Sequence, residues 1–324
     1  MKNWVLVLFC ALLVLTGCGN NGESAPFPSG NISGVVMWGA GGGTDSLMRP
    51  LAALAEEQLG TSIILRNMTG AAGYVATRFV HSAAPDGYTL LMGAENPVLY
   101  QSLGIGQLTY DDFAPVFLIG DETVGFAVPA NSPFDSFSQI VAFALEEPDT
   151  LRLATTGVGG LPWTVAAFIE EVTGASFTQI PYDSDATAML ALQYGEVDFG
   201  VVKLQTGLDA HNIGVLNFVA MFTSEAVPVL PNVPPIVEEF EGFRRFMPWG
   251  PFYGVFVHQD TSPYIVAELS RVFSAAAATP AFTQVLENFH VNPLGLYGSA
   301  AEDFIRQWKE NTLDALISSG ALDY

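Results

Sequence analysis

Residues 35–60 read VVMWGAGGGTDSLMRPLAALAEEQLG, and they join a strand-like apolar run to an amphipathic helical pattern through a glycine-rich turn. Four glycines fall within five positions of this turn, and Thr44 opens the helical pattern. Glycine permits a positive φ and leaves backbone amides uncovered. A helix N-terminus adds unpaired N–H groups and the positive end of its dipole. The stretch therefore predicts a strand–turn–helix unit whose turn can bind an anion.

Two further turns have a similar composition, namely NMTGAAGYVA at residues 67–76 and ATTGVGGLPW at residues 154–163. One such turn could equally be a tight corner, but three favour a cleft, because the carboxyl ends of strands in open α/β sheets line the binding crevice. The pattern predicts one cleft that is lined by backbone amides and holds an anion. The candidate ligand-binding residues of these turns are Trp38, Gly39, Ala40, Gly41, Gly42, Gly43, Thr44, Gly70, Ala71, Ala72, Gly73, Thr156, Gly157, Val158, Gly159 and Gly160.

The composition indicates a well-buried globular chain with an acidic surface. The chain has 324 residues, of which 50% are hydrophobic and 14% are charged. This length suggests about two domains at ~100–200 residues each. The formal net charge is −22, which excludes nucleic acid and anionic lipid surfaces as partners, since both require a basic surface. A negative chain can still bind an anion, because surface charges are screened beyond ~8 Å while dipoles in a cleft act at contact range.

The N-terminus has the features of an export signal. A short basic start precedes an apolar core, Trp4–Val14, that is too short to span a bilayer. The sequence Leu15-Thr16-Gly17-Cys18 then resembles the bacterial lipobox. We expect residues 1–17 to be a signal peptide, Cys18 to be lipidated, and residues 18–30 to be a flexible tether. The alternative is an ordinary signal peptide followed by a chance cysteine.

Short apolar runs alternate with amphipathic stretches along the rest of the chain. This alternation predicts an α/β fold with mainly parallel sheets. Helices are expected at 136–147, 163–173 and 186–195, and the C-terminal tail is expected to be helical throughout, at 262–279, 281–289 and 300–319. The predicted strands are 34–38, 62–67, 88–93, 115–120, 125–130, 151–156, 178–182, 197–202, 217–222 and 253–258.

Enzymatic and cofactor-binding motifs do not fit the sequence. A P-loop requires a lysine after its last glycine, where this chain has Thr44, and the second strand ends in Arg66-Asn67 rather than in the acid of a dinucleotide site. The sequence contains no GxSxG or HExxH motif, and its four histidines are scattered. We therefore expect no catalytic group, no cofactor and no metal site.

The sequence resembles the extracytoplasmic solute receptors of tripartite tricarboxylate transporters, the Bug or TctC-like proteins. APDGYTLLMG at 84–93 is the most specific of the similar stretches. The full set runs almost end to end, at 35–45, 67–93, 108–116, 153–160, 179–198 and 230–240.

This resemblance implies a type II periplasmic-binding fold with two α/β lobes that close on a ligand. Residues 31–125 and 251–324 would form lobe 1, and residues 126–250 would form lobe 2. Family members deliver small carboxylated molecules to a two-subunit membrane permease. In these proteins the loops that match Trp38–Thr44 and Thr156–Gly160 hold one ligand carboxylate, largely through backbone groups.

The sequence departs from the family at several positions that bear on the ligand. Val158, Leu161 and Trp163 replace residues that are usually polar, and Trp38 replaces a usual phenylalanine. Trp38 and Trp163 are therefore predicted to cover an apolar or aromatic part of the ligand. Pro50 lies inside the first predicted helix, where it should kink the helix.

A further departure that concerns the ligand is at Lys203. It follows Val202, which stands where family members often have an acid that meets a ligand amine. Two roles remain open for Lys203. It either faces the cleft and takes a second ligand carboxylate, or it has a structural role in which it points outward or is held in an ion pair by an acid such as Asp185 or Asp209. Tyr182, in the matching stretch 179–198, completes the predicted site.

The resulting expectation is a monomeric, lipid-anchored receptor that binds a small carboxylate, closes on it, and feeds a tripartite tricarboxylate-type importer. A sensory module of the same fold that signals to a membrane partner is the alternative, and an enzyme on this scaffold is the third. Gly42→Val should weaken binding, because valine fills the space of a carboxylate and disfavours a positive φ.

Overall fold

The computed structural model describes residues 27–182 and 185–322. The predicted signal peptide and Cys18 lie outside these residues. The strands are β1 (Ile32–Val36), β2 (Ile63–Asn67), β3 (Thr89–Ala94), β4 (Phe113–Glu122), β5 (Val124–Pro129), β6 (Arg152–Thr155), β7 (Thr178–Pro181), β8 (Phe199–Lys203), β9 (Leu216–Met221), β10 (Phe252–His258) and β11 (Val291–Leu296). The α-helices are α1 (Gly43–Leu59), α2 (Tyr74–His81), α3 (Phe137–Glu146), α4 (Leu161–Thr173), α5 (Asp185–Gln193), α6 (Leu204–Asn212), α7 (Ile236–Glu239), α8 (Pro263–Ala277), α9 (Pro280–Asn288) and α10 (Ser299–Ser318).

The strands form two separate sheets. The first has the order β11-β4-β10-β3-β1-β2, and the second has the order β7-β6-β8-β5-β9. In the first sheet β10 and β11 run opposite to the other four strands. In the second sheet only β5 opposes the other four. The predicted α/β fold with two lobes and mainly parallel sheets is confirmed.

The chain passes between the two sheets twice. β4 ends at Glu122 and β5 begins at Val124, so Thr123 is the first crossover, two residues before the boundary that the resemblance implied. The return lies between β9 and β10, and it is braced by the C-terminal helix α10. There the ring of Trp308 stacks on Trp249 at a centroid distance of 5.5 Å, and its Nε1 donates to the carbonyl of Gly250 at 2.8 Å. The two crossovers lie next to each other, because the N–H of Glu122 donates to the carbonyl of Pro251 at 2.9 Å.

Ten of the strands lie where the sequence predicted them, but the expectation of a wholly helical tail is wrong. β11 lies between α9 and α10, and its sequence VNPLGL contains a proline and a glycine that disfavour a strand. Among the described strands β11 pairs only with β4, at an edge of the sheet, which is the position where a sheet tolerates proline. Pro50 lies inside α1, and the helix continues through it to Leu59.

Candidate ligand-binding cleft

Each lobe contributes a four-residue turn with the same sequence pattern, Gly-x-Gly-Gly. In lobe 1 the N–H of Gly42 donates to the carbonyl of Gly39 at 3.2 Å, and in lobe 2 the N–H of Gly160 donates to Gly157 at 3.0 Å. The third residue has a φ of +77° at Gly41 and +79° at Gly159. A positive φ at this position defines a type II turn and requires glycine. We call these turns the matched turns.

Both matched turns end at the N-cap of a long helix. Gly42 caps α1 with φ −74° and ψ 169°, and Gly160 caps α4 with φ −75° and ψ 159°. The expectation of a positive φ at Gly42 is therefore wrong; it is Gly41 that requires glycine for this reason. Gly42 and Gly160 use their own N–H groups inside the turns. The N–H groups that remain for an anion are therefore those in the first turn of α1 and of α4, because the first N–H groups of a helix have no intrahelical acceptor.

Asp45 holds the first matched turn in place from behind. Its side chain is 3% exposed and accepts hydrogen bonds from the N–H of Gly41 at 2.9 Å, from Arg49 Nη2 at 2.7 Å and from Asn67 Nδ2 at 2.8 Å. Asn67 Nδ2 also donates to the carbonyl of Trp38 at 2.8 Å. Burial alone would raise the pKa of Asp45, but the hydrogen bonds from Arg49, Gly41 and Asn67 outweigh it and lower the pKa.

Asp45, Arg49 and Asn67 were not among the predicted site residues. An aspartate with an arginine four residues later is a common helix-surface pair, so the sequence alone favoured a solvent-exposed role. The structure shows instead that Asp45 is buried and that it orders the loop that begins at Trp38.

The third glycine-rich turn, residues 70–73, lies beside the first matched turn. It follows β2, which pairs in parallel with β1, so both turns leave the same edge of the sheet. Ala71 and Ala72 have φ values of 47° and 51°, a conformation that costs an ordinary residue roughly 1–2 kcal/mol. Tyr100 Oη donates to the carbonyl of Ala72 at 2.7 Å, and a Cβ on Gly73 would lie 2.0 Å from Met37 Cε. The hydrogen bond from Tyr100 holds the strained turn, and the close approach of Met37 leaves no room for a side chain at Gly73.

The lobes approach each other at the second matched turn. A Cβ added to Gly159 would lie 2.5 Å from Leu103 Cδ1, and Leu103 belongs to lobe 1. At the tip of the same turn the side chain of Val158 is 66% exposed. The indole rings of Trp38 and Trp163 are partly buried against one hydrophobic core that spans both lobes.

Tyr182 directly follows β7. Its N–H donates to the carbonyl of Thr155 at 2.8 Å, and its side chain lies against the smaller core of lobe 2.

A charged cluster lies at the start of α1. Lys203 Nζ is 3.1 Å from Glu122 Oε2 and 3.3 Å from Tyr253 Oη, and Tyr253 Oη donates to Glu122 Oε2 at 2.6 Å. Asp185 Oδ2 lies 3.9 Å from Lys203 Nζ. A Cβ on Gly43 would lie 3.0 Å from Tyr253 Oη, so the cluster touches the first residue after the first matched turn.

Lys203 is thus held by acids, as one of its two predicted roles required. Asp185 was one of the acids named from the sequence, while Glu122, the closer partner, was not. Burial alone would lower the pKa of Lys203, but Tyr253, Glu122 and Asp185 raise it well above its usual value. Lys203 therefore carries a positive charge over the whole physiological pH range.

Glu95 belongs to the same electrostatic environment. It follows β3 and is partly buried. Burial raises the pKa of Glu95, the charge of Lys203 opposes this shift, and the charges of Glu122 and Asp185 add to it, so that the pKa lies at about 7. Glu95 was not predicted as a site residue, because a lone acid after a strand has no distinctive sequence pattern.

Two of the histidines that are scattered in the sequence are neighbours in the fold. The rings of His81 and His258 stack at a centroid distance of 4.9 Å. His258 pairs with Phe113 at the start of β4, so it lies at the opposite end of the strands from the first matched turn, which follows the end of β1. Within residues 27–182 and 185–322, no helix has the length and apolar content that a bilayer crossing requires.

Two α/β lobes, each with a matched turn at a helix N-terminus, define a two-lobed solute-binding protein of the periplasmic type. Residues 47–319 match the family model described as tripartite tricarboxylate transporter family receptor. The chain therefore belongs to this receptor family.

Known relatives are similar over most of their length. Protein BugT of Bordetella pertussis is 26% identical over 262 residues, which cover 80% of this chain and 79% of BugT. The structure of the periplasmic binding protein BugD aligns with a TM-score of 0.79 at 24% identity, covering 92% of this chain and 100% of BugD. MatC of Rhodopseudomonas palustris with bound malate aligns with a TM-score of 0.77 at 25% identity, covering 90% of this chain and 100% of MatC.

Proposed function

We propose that this receptor binds a small organic carboxylate between its lobes and delivers it to a two-subunit membrane permease of the tripartite tricarboxylate type. The observation that carries the proposal is the pair of matched turns. Each presents first-turn amides and the positive end of a helix dipole, which is a general arrangement for holding a carboxylate. The second turn lies against Leu103 of the opposite lobe. The malate bound by MatC supports the same class of ligand.

In this proposal the protein works outside the cytoplasm as a monomer, attached to the membrane by lipid on Cys18. The sequence from Cys18 to residue 30 is the tether. One acyl chain gives only marginal membrane binding, so stable attachment takes more than one chain. The acidic body, at a formal net charge of −22 for the whole chain, would not add attraction to anionic lipid.

A thermal-shift screen of the chain without residues 1–18 against mono-, di- and tricarboxylates tests the binding proposal. A ligand at 100 times its Kd stabilises the native state by about 2.7 kcal/mol, which raises Tm by several degrees. Calorimetry then gives the affinity for each acid that raises Tm.

The matched variants for this screen are Gly42→Val and Gly30→Val. Gly42 caps α1, where a Cβ would lie 3.2 Å from the carbonyl of Gly39, whereas Gly30 has open space around it among the described residues. The shift should disappear in the first variant and persist in the second. If no carboxylate raises Tm, or if both variants respond alike, the proposed site is wrong.

A further inference from the structure

The ammonium group of Lys203 is already committed to neighbouring groups of the protein. An ammonium has three N–H donors. Glu122 Oε2 and Tyr253 Oη lie 3.1 and 3.3 Å from Nζ, and Asp185 Oδ2 lies beyond them at 3.9 Å. The side chain of Lys203 is 19% exposed, so little of it meets solvent or an incoming molecule.

Glu122 is fixed where it is. Its side chain is 3% exposed, at the end of β4, and it accepts the 2.6 Å hydrogen bond from Tyr253. Tyr253 is fully buried in β10, the neighbouring strand, so it cannot turn away. Separating Glu122 from Lys203 would leave the buried carboxylate of Glu122 without its cation, which is strongly unfavourable.

The charges around Lys203 also oppose a second anion. The carboxyl groups of Glu122 and Asp185 lie 3.1 and 3.9 Å from one ammonium, and the charge of Glu95 also acts on it. The ammonium is already neutralised by Glu122 at contact distance. A second ligand carboxylate beside Lys203 would therefore meet net negative charge. Repulsion between like charges is one way in which a binding site rejects a competing ligand.

We propose that Glu122 is a built-in carboxylate that occupies Lys203, and that the cleft therefore selects monocarboxylates over dicarboxylates. This inference rests on the proposed function, since it concerns a second carboxylate on a ligand whose first carboxylate is held at the matched turns. It separates this receptor from MatC, whose structure contains the dicarboxylate malate. Glu122 acts on selectivity through Lys203 and has no contact with the ligand.

The first test needs no variant. Calorimetry at pH 8 compares acids of equal carbon number, butanoate with succinate and hexanoate with adipate, all fully ionised. We expect each monoacid to bind at least tenfold more tightly than its diacid. Diacids that bind as tightly as the monoacids, or more tightly, would overturn the inference and leave the proposed function standing. Absence of binding by every carboxylate would instead refute the proposed function.

The second test frees Lys203. Glu122→Gln keeps the size of the side chain and its hydrogen bond to Tyr253, but removes the charge. We expect the diacids to bind at least tenfold more tightly than to the parent protein, with monoacid affinities within twofold. The double variant Glu122→Gln/Lys203→Met should lose this gain.

Either no gain in the single variant or a gain that persists in the double variant would show that Glu122 does not set selectivity. If Glu122→Gln fails to fold, as judged by circular dichroism, Tyr253→Phe takes its place. Tyr253→Phe removes the hydrogen bond that Tyr253 donates to Glu122, and it should give a smaller gain in diacid affinity. If diacid affinity does not rise in this variant, the inference is equally contradicted.

Discussion

The backbone N–H of Gly41 donates to Asp45 Oδ2 at 2.9 Å, so a buried carboxylate stands directly behind the turn that is proposed to receive a ligand carboxylate. The ligand carboxylate would use the amides at the start of α1, which directly follow this turn. Asp45 is neutralised by Arg49, whose Nε and Nη2 donate to its two oxygens at 2.9 and 2.7 Å. The loop is therefore ordered before any ligand arrives, which lowers the entropy cost of binding.

Asp45→Asn should weaken carboxylate binding roughly tenfold and destabilise the fold. The asparagine side chain has no negative charge and only one acceptor oxygen, so the hydrogen bonds that the carboxylate of Asp45 accepts are weakened or lost. Hydrogen bonds to charged groups contribute about 1.5–3 kcal/mol. Calorimetry gives the affinity, and urea unfolding gives the free energy of unfolding.

Asp303→Asn is the control for this substitution. Asp303 pairs with Arg306 on the exposed surface of α10, where ion pairs contribute about 0–1 kcal/mol. If Asp45→Asn changes affinity and stability no more than this control does, Asp45 does not order the turn.

Glu95 should make stability fall as pH rises towards neutrality. Its pKa is raised to about 7, whereas an unfolded glutamate titrates at about 4.3. Between these values the native state binds more protons than the unfolded state, so the contribution is full below pH ~4.3 and is lost as pH approaches ~7. The loss between pH 5 and pH 8 should be up to about 3 kcal/mol, less where water screens the charge.

Urea unfolding at pH 5 and pH 8 measures this loss. Glu95→Gln should flatten the pH dependence, while Glu310→Gln, on an exposed position of α10, should leave it unchanged. A slope that survives in Glu95→Gln would assign the pH dependence to other groups.

Local sequence was sufficient for ten of the eleven described strands and for the positions of the glycine-rich turns. Ten strands follow from apolar runs, and the matched turns follow from the requirement of a type II turn for glycine at its third position. β11 was missed because its edge position, which local sequence does not reveal, makes Pro293 acceptable.

The partners of Lys203 could not be predicted in the same way. Glu122, Lys203 and Tyr253 lie at strand ends that are 50 or more residues apart in sequence, and the two crossovers bring them together. Periodicity assigns a residue to a face of its own strand, but it does not show which strands become neighbours. The choice between the two roles of Lys203 therefore required the sheet order.

Lipidation should depend on Cys18 alone. We expect Cys18→Ala to move the protein from the membrane fraction to the soluble fraction, because the mature chain would lose acyl chains that each contribute about 0.8 kcal/mol per buried CH₂. Fractionation with immunoblotting measures the change, and mass spectrometry of the N-terminus identifies the modification. A parent protein that is already soluble and begins well after Cys18 would contradict the lipoprotein prediction.

Closure of the lobes should depend on the absence of a side chain at Gly159. Small-angle scattering should show a smaller radius of gyration with saturating carboxylate, because ligand that bridges both lobes favours the closed state. Gly159 and Gly157 both have a positive φ, +79° and +88°, so alanine costs a similar backbone strain at either position. Of the two, only Gly159 would place its added Cβ against the opposite lobe, 2.5 Å from Leu103 Cδ1; at Gly157 the Cβ meets no atom of the described residues within 4 Å.

Gly159→Ala should therefore reduce both the ligand-induced compaction and the affinity, the latter at least tenfold more than Gly157→Ala does. Shortening the opposing side chain in Gly159→Ala/Leu103→Ala should restore compaction, since the clash is removed while the backbone strain remains. The pair of alanine variants thus separates strain in the turn from contact between the lobes. Equal losses in the two single variants, or no recovery in the double variant, would mean that the contact of Gly159 with Leu103 does not govern closure.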